Sequence, residues 1–292
     1  MKKIFFIGTV FIILCVVVRL NAKGKHITNH IKGFVKTTIA KPSNINKEGA
    51  TVKTRVLVPK SYTRVSYSKN SFQDYLQNYR LKEHGSPIIN YDGTSYFAQH
   101  WHDAILEIPV PKNGLQQCAD ALIRIRAEYL WQQNRKSEIG FKFTSGHYCS
   151  WSKYAQGYRP KISGNKVSFH KTAKPNSSKT NFYKYLNLIF TYSGTASLYA
   201  ELPKVKIKDI KVGDMLVKPG FPGHIEIIID EAVNEKGEKI YVLAQGNTPA
   251  QNVCILKNFE NDALSPWYTF TKEETIYTPS YYFEKPTFVR FK

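Results

Sequence analysis

The sequence contains one long amphipathic segment with strand-like segments on both sides, and this arrangement constrains the fold most. LQQCADALIRIRAEYLWQQ is predicted to form a helix from about Gly114 to Gln133. Its apolar residues recur at helical spacing and form one stripe, whereas its charged residues lie on other faces of the helix. The stripe comprises Leu115, Cys118, Leu122, Ile125 and Tyr129. The pattern favours an α+β fold in which this central helix packs on an antiparallel sheet.

The other periodic segments are shorter. HDAILEIPV, IEIIID and IYVLAQ are predicted strands, and a Glu-Lys-Gly-Glu turn joins the last two into a hairpin. SYSKNSFQDYLQNYRL predicts a short amphipathic helix. NFYKYLNLIFTYSGTASLYAEL predicts a second helical stretch that is broken at Ser193 and Gly194. An Asp-Gly turn at Asp92 and Gly93 joins two short strands.

The first 22 residues, MKKIFFIGTVFIILCVVVRLNA, have the basic start, short apolar core and small final residue of a secretory signal. We predict a signal peptide over residues 1–22, an N-terminal extension or linker over 23–60, and one α+β domain over 61–292. Two alternatives stay open for the leader: a retained membrane anchor, and a lipoprotein acylated at Cys15. We expect export to the periplasm or cell envelope, with no stable transmembrane span after the signal is removed.

The chain carries 42 Lys and Arg against 22 Asp and Glu, a formal net charge of +20. For an exported protein this charge predicts attraction to an anionic polymer or peptide of the envelope. No zinc finger, RRM or helix-turn-helix pattern is present, so nucleic acid is not an expected partner. The alternative is a lysine-rich surface without a binding role.

Two segments predict a thiol site. Cys118 lies near the start of the central helix, where unpaired amides and the helix dipole favour a thiolate. His224 follows Pro222-Gly223 and starts a β-branched strand, which suits a rigid general base. Gln245, at the end of the next strand, is the first candidate for the group that orients the imidazole, and Asn247 is the second.

Each of these residues also has an ordinary structural explanation. A lone cysteine on an apolar helix stripe is usually a packing residue, and a histidine after Pro-Gly is often a turn residue. The order of helix cysteine, turn, histidine and hairpin is what favours a catalytic site. Cys118, Cys149 and Cys254 remain after the leader, and an odd number of cysteines leaves at least one thiol unpaired.

A second candidate region is rich in aromatic residues. Trp151, Tyr158 and Arg159 are predicted to bind substrate by stacking on sugars or holding a carboxylate; the alternative is a core layer with a buried arginine. His100, His102 and Asp103 resemble metal ligands in type, but no HExxH or paired-cysteine spacing supports them, so we expect no metal and no cofactor.

Two family resemblances rest on these motifs. GDMLVKPGFPGHIEIIID resembles the histidine strand of NlpC/P60 and related papain-like amidases, in which a helix-start cysteine precedes it. A longer resemblance covers roughly residues 60–290 through LQQCADALIRIRAEYLW, GFKFTSG, GTASLYAEL, PGHIEIIID, AQGNTPAQ and SPWY. That stretch looks like the family DUF4846, whose members resemble exported or lipid-anchored envelope proteins.

The first resemblance implies a papain-like core with Cys118 as nucleophile, His224 as base, and an insertion between them. The two residues are 106 positions apart, about twice the gap expected in those amidases, and the third group is Gln or Asn where His is commoner. These two departures argue against activity, but on the order of the motifs and the resemblance we expect an exported thiol hydrolase that cleaves an amide bond in envelope material. The alternative is a catalytically silent envelope-binding protein with a basic, aromatic surface.

Overall fold

A large antiparallel sheet forms the centre of the molecule. The structure, a computed structural model, describes residues 24–28, 31, 44–270 and 274–292. The predicted signal peptide, residues 1–22, lies outside the described residues. The helices are α1 (Val52–Arg55), α2 (Phe72–Gln77), α3 (Cys118–Gln132), α4 (Trp151–Ala155), α5 (Lys179–Tyr192) and α6 (Thr195–Glu201).

The strands are short apart from two. They are β1 (Tyr62–Arg64), β2 (His102–Ile105), β3 (Gly140–Lys142), β4 (Tyr148–Ser150), β5 (Tyr158–Ser163), β6 (Lys166–Lys171), β7 (Lys204–Val205), β8 (Asp214–Lys218), β9 (His224–Asn234), β10 (Lys239–Gln245), β11 (Cys254–Leu256), β12 (Trp267–Tyr268), β13 (Ile276–Tyr277), β14 (Tyr282–Phe283) and β15 (Thr287–Arg290).

The central sheet has nine strands in the order β2-β11-β10-β9-β8-β15-β7, with β1 paired to β9 and β12 paired to β10. All its ladders are antiparallel. Three further hairpins, β3 with β4, β5 with β6 and β13 with β14, are antiparallel as well. The prediction of an α+β fold with an antiparallel sheet is confirmed at this level.

The β9–β10 hairpin is the middle of the core. Most of its β-branched residues, among them Ile225, Ile227 and Val242, are fully buried, and each such side chain contributes roughly 1.5–3 kcal/mol on burial. Helix α3 packs on both strands. The predicted hairpin and the predicted central helix are therefore confirmed, and they lie against each other.

Helix α3 begins four residues later than its sequence pattern predicts. Gly114 adopts φ +71° in a turn closed by its amide and the carbonyl of Pro111, and Gln117 is extended as the N-cap. Cys118 is therefore the first residue of the helix. The periodic apolar pattern extends into this turn because Leu115 packs against the same core.

Three of the four charged residues of α3, Asp120, Arg124 and Arg126, are also buried, because helices α2 and α5 cover its outer side. The guanidinium of Arg124 donates to Glu128, to the carbonyl of Pro109 and to Gln116. These contacts satisfy a charged side chain that is 5% exposed. The sequence pattern placed the charged residues on faces other than the apolar stripe, and the extra layer of helices explains why those faces are covered.

We call the chain between α3 and β7 the insertion; that it is added to a papain-like core stays a prediction. It contains β3 to β6 and α4 to α6. The predicted break is confirmed, since α5 ends at Tyr192 and α6 begins at Thr195. Helix α6 packs on β8, which places the insertion beside the strand that leads to His224.

The described part of the predicted extension also packs on the core. Val52 and Val56 are fully buried, and the amide of Val52 donates to the carbonyl of Tyr79. Within the described ranges, no helix has the length and apolar character needed to cross a bilayer.

Candidate thiol site

Cys118 occupies the first position of helix α3. The first amides of a helix have no carbonyl partner within it, and the aligned peptide dipoles place partial positive charge there. Both effects place the Cys118 side chain in a region of positive potential. Cys118 is 7% exposed, so its side chain lies just beneath the surface.

His224 is the first residue of β9 and is fully buried. The loop before it is tightly packed against the insertion. A Cβ at Gly223 would lie 2.3 Å from Thr195 Oγ1 and 2.5 Å from the carbonyl oxygen of Gly220. Only glycine fits there. The packing of α6 against the loop therefore determines where β9 begins and where the imidazole of His224 lies.

The imidazole of His224 is held on one edge and one face. Its Nε2 lies 2.5 Å from Gln245 Oε1. The ring of Tyr281 stacks on it with centroids 3.8 Å apart and planes inclined by 9°. Nδ1 is buried and makes no well-formed hydrogen bond with any of the described residues. The ring is therefore oriented, with Nδ1 left for a further group.

Cys118 lies close enough to His224 to change the pKa of its imidazole. Burial by itself lowers the pKa of His224, but hydrogen bonding and charge interaction with Cys118 and Glu226 outweigh burial and raise that pKa to about 9. An imidazole with this pKa is protonated at neutral pH. The arrangement therefore favours an imidazolium beside the thiol.

Glu226 is the charged neighbour that the sequence analysis missed. It lies two residues after His224 in β9, so both side chains point to the same face of the sheet. Its Oε1 is 3.6 Å from His224 Nε2 and accepts a 2.7 Å hydrogen bond from Thr278 Oγ1. The carboxylate is fully buried, and its Oε2 has no hydrogen-bond partner among the described residues.

A C-terminal loop completes the cluster. Gln245 Nε2 donates to Ser280 Oγ, Thr278 bonds Glu226, and Tyr281 covers His224. The segment TPSYY had no periodic or motif signal that linked it to a site. The available signal was indirect: Glu226 is a carboxylate inside an apolar strand, and a buried carboxylate needs polar partners from elsewhere in the chain.

The end of β10 lies directly against the start of α3. A Cβ at Gly246 would lie 3.0 Å from Ala121 Cβ, 3.2 Å from the carbonyl oxygen of Gln117 and 3.6 Å from Cys118 Cα. The adjoining Thr248 Oγ1 donates to Gln117 Oε1 at 2.9 Å. This close approach brings the end of β10, with Gln245, next to the helix start that carries Cys118.

The structure separates the two candidates for the orienting group. Gln245 contacts His224, whereas Asn247 Nδ2 lies 3.4 Å from the hydroxyl of Tyr96 and its Oδ1 accepts from the amide of Thr248. Of the two candidates, Gln245 is therefore the one that contacts the imidazole, and Asn247 contacts Tyr96.

The predicted substrate-binding residues lie in the insertion. Trp151 is 3% exposed and packs against Trp131 and Phe182, as in the core-layer alternative for this cluster. Arg159 donates to the carbonyls of Tyr154 and Tyr158 and stacks 3.6 Å over the Tyr154 ring. Contact of Trp151, Tyr158 and Arg159 with a substrate stays a prediction.

The other two thiols differ from Cys118 in their surroundings. Cys149 and Cys254 are buried and unpaired. Burial raises the pKa of Cys149 to about 12 and raises that of Cys254 further. Neither thiol forms an appreciable thiolate at neutral pH.

The histidines near residue 100 have structural contacts. Both ring nitrogens of His102 face carbonyl oxygens, those of Gln99 and Ser86, and His100 stacks on Phe259. No group of three or more His, Cys, Asp and Glu suited to a metal ion occurs in the part of the chain that the structure describes.

Comparison with known proteins identifies one family. The model of a family described as "Domain of unknown function (4846)" matches residues 52–290, which is most of the chain. No curated protein and no solved structure matches this chain. The matched range starts at α1 and ends in β15, so it includes the central sheet, the insertion and every residue around the imidazole. The chain belongs to the DUF4846 family.

Proposed function

We propose that this protein is an exported cysteine hydrolase of the papain-like class that cleaves an amide bond in cell-envelope material. The observation that carries the proposal is the orientation of His224. Gln245 holds Nε2 at 2.5 Å, Nδ1 is left without another partner, and Cys118 interacts with the same ring. In this proposal Cys118 is the nucleophile, His224 is the base and Gln245 is the orienting group.

The proposed reaction has two steps. The Cys118 thiolate attacks the amide carbonyl, and the resulting oxyanion accepts hydrogen bonds from amides at the start of α3. The imidazolium of His224 then gives its proton to the leaving amine as the carbon–nitrogen bond breaks, which leaves a thioester on Cys118. Neutral His224 next removes a proton from water, the hydroxide attacks the thioester, and Cys118 leaves as thiolate.

Three further observations support the class of enzyme. The helix-start cysteine, the histidine strand and the following hairpin occur in the order that papain-like amidases use, and GDMLVKPGFPGHIEIIID resembles the NlpC/P60 segment. A buried Glu226 stabilises the imidazolium that the first step requires. The signal-like leader and the net charge of +20 favour an anionic substrate polymer outside the cytoplasm.

The test is alkylation of the purified protein by iodoacetamide across pH, with the modified cysteine identified by peptide mapping. At pH 7 we expect Cys118 to react at least tenfold faster than a free thiol, because a thiolate paired with an imidazolium persists where an ordinary thiol is protonated. His224→Ala should lower this rate at least tenfold, while His170→Ala, at an exposed histidine of β6, should leave it unchanged.

A second measurement addresses hydrolysis directly. Peptide-bearing envelope material is incubated with the wild type and with Cys118→Ser, and newly formed amino groups are counted with an amine-reactive dye. New amines with the wild type alone support the hydrolase. The hydrolase proposal is contradicted if Cys118 is alkylated no faster than a free thiol, or if His224→Ala leaves its alkylation rate unchanged. Either result favours the catalytically silent binding protein.

A further inference from the structure

The insertion contains a long stretch of chain without any acidic residue. Residues 139–200 include nine Lys and Arg but no Asp or Glu, although the whole chain has 22 Asp and Glu among 292 residues, about one in thirteen. The positive charge of this stretch is therefore not balanced by carboxylates nearby in the sequence. Seven of the nine cations are exposed: Lys142, Lys153, Lys161, Lys166, Lys171, Lys174 and Lys184.

The fold does not supply carboxylates to these cations either. Among the described residues, none of the nine forms an ion pair with an Asp or Glu side chain. Basic side chains elsewhere do form such pairs, as Arg80 does with Glu107. The positive charge of residues 139–200 is therefore available to a ligand from outside the chain.

The β5–β6 hairpin arranges part of this charge on one face. Residues opposite each other in the ladder lie on the same side of the hairpin, and successive residues alternate between its sides. One side carries Ile162, Val167 and Phe169, which pack against the core. The other side, which we call the basic face, comprises Arg159, Lys161, Ser163, Lys166, Ser168 and His170. All of these except Arg159 are exposed.

Two lysines form the centre of the basic face. Lys161 lies opposite Ser168, and Lys166 lies opposite Ser163, so the two lysines are diagonal neighbours about 7–8 Å apart. Like charges at this separation repel each other, and the serines beside them do not neutralise either ammonium group. A ligand with anionic groups repeated every few ångströms would replace this repulsion with attraction.

Exposed tyrosine rings accompany these cations. The three tyrosines that are exposed in the described part of the chain, Tyr148, Tyr183 and Tyr192, all belong to the insertion. Tyr192 lies beside Phe143, which in turn contacts Phe169 on the apolar side of the hairpin. An exposed aromatic ring offers a flat apolar surface to the C–H groups of a sugar. The combination of lysines and tyrosine rings favours a ligand made of acidic sugars.

We propose that the basic face binds a linear acidic polysaccharide through the carboxylates of its sugars. Binding itself does not need the thiol site, but the identity of this polysaccharide as the material that Cys118 cleaves rests on the proposed function. Thr195 Oγ1, in α6 of the same insertion, donates to the carbonyl of Gly220 in the loop before His224. The insertion therefore connects the polysaccharide site with the strand of the imidazole.

The experiment measures binding of the full chain to polygalacturonate by calorimetry at an ionic strength of about 0.15 M, with dextran as the uncharged control. The variant carries Lys161→Gln and Lys166→Gln together. The matched control carries Lys60→Gln and Lys236→Gln, at two exposed lysines that line one depression beside the β9–β10 turn. Both double variants lose two positive charges, so they differ only in where the charge is removed.

The wild type should bind polygalacturonate but not dextran. Loss of Lys161 and Lys166 should weaken binding about tenfold or more, because two ammonium–carboxylate contacts are removed. The control variant should bind within about twofold of the wild type, since distant exposed charges are screened by salt. All four substituted lysines are exposed, so both variants should unfold at the temperature of the wild type.

Equal weakening in the two double variants would show that only the net charge matters, and it would overturn the proposal. No binding of polygalacturonate to the wild type would overturn it as well, and so would tighter binding of single-stranded DNA than of polygalacturonate. Cys118→Ser should bind polygalacturonate as the wild type does, and the alkylation rate of Cys118 should be unchanged in the basic-face variant. Failure of this proposal is therefore distinguishable from failure of the proposed function.

Discussion

At the scale of single residues, the environment of His224 combines one neutral and one charged acceptor. Gln245 Oε1 fixes the direction of Nε2, and Glu226 adds a negative charge 3.6 Å from the same nitrogen. A neutral amide orients the ring without changing its charge, whereas a buried carboxylate favours the protonated ring. The two acceptors therefore have separable effects.

Replacing Glu226 with glutamine should lower the pKa of His224. The amide keeps the size and the hydrogen bond to Thr278 but removes the charge that, with Cys118, raises the pKa of His224 to about 9. The measurement is an NMR titration of the His224 ring in a Cys118→Ala background, with and without Glu226→Gln, so that the thiolate does not contribute. An identical midpoint in the two proteins would show that Glu226 does not stabilise the imidazolium.

Cys118, His224 and Gln245 could be predicted from the sequence because each lies at an element boundary with a clear local pattern. Glu226 could not, because a lone glutamate in IEIIID is typical of a strand with one solvated face. Tyr281 and Ser280 reach the site through tertiary packing of a loop with no periodicity. Their roles depend on neighbours more than thirty residues away, and local patterns contain no such information.

At the scale of elements, the site depends on how closely β10 meets the start of α3. Gly246 permits this approach because it has no side chain to separate the two backbones. The sequence predicted the helix, the hairpin and the break between α5 and α6. It placed the helix start four residues early, since Leu115 continues the apolar period into the preceding turn.

Gly246→Ala should reduce the alkylation rate of Cys118 several-fold and destabilise the fold by about 1–3 kcal/mol, as overpacking does. The new Cβ would lie 3.0 Å from Ala121 Cβ and 3.2 Å from the carbonyl oxygen of Gln117, so α3 must shift away from Gln245. Iodoacetamide kinetics and urea unfolding measure the two effects.

Gly194→Ser is the control for this substitution, because a Cβ at Gly194 meets nothing within 4 Å and serine is a favoured N-cap. It should change stability by less than about 0.5 kcal/mol. If Gly246→Ala reacts and unfolds like the wild type, the close contact does not position the thiol.

At the scale of the whole molecule, the large basic excess coexists with acidic side chains buried inside. Asp103, in β2, has a side chain that is 6% exposed and lies 3.8 Å from Lys257 Nζ. Burial raises the pKa of Asp103 from 3.8 to about 6, and Lys257 offsets the effect only in part. The folded protein therefore binds this proton more tightly than the unfolded chain does.

The stability of the fold should fall as pH rises from about 4 to about 6 because of Asp103. Below 3.8 the carboxyl is protonated in both states; above the folded pKa it is ionised while buried, so its contribution is lost. Asp103→Asn should therefore be more stable than the wild type at pH 8 by on the order of 1–3 kcal/mol, and by less at pH 4.

Urea unfolding at several pH values measures this difference. Glu235→Gln, an exposed carboxylate in the β9–β10 turn, removes the same charge without relieving any burial. It should show no comparable change between pH 4 and pH 8. An Asp103→Asn stability difference that does not depend on pH would contradict the effect of burial.

The sequence by itself determined the α+β class, the central helix and the hairpin, because helix and strand periods and turn residues act over a few neighbouring positions. It also singled out Cys118, His224 and Gln245, whose catalytic roles stay a prediction. Only the tertiary structure decided which groups surround His224. Gln245 and Asn247 are the first and second candidates in the sequence, and the fold places Gln245 on the imidazole and Asn247 on Tyr96. Arg126 lies off the apolar stripe in the sequence, and the rings of Phe72 and Phe291 cover it in the fold. Such outcomes depend on the packing of distant segments, since burial and charge are properties of a folded environment.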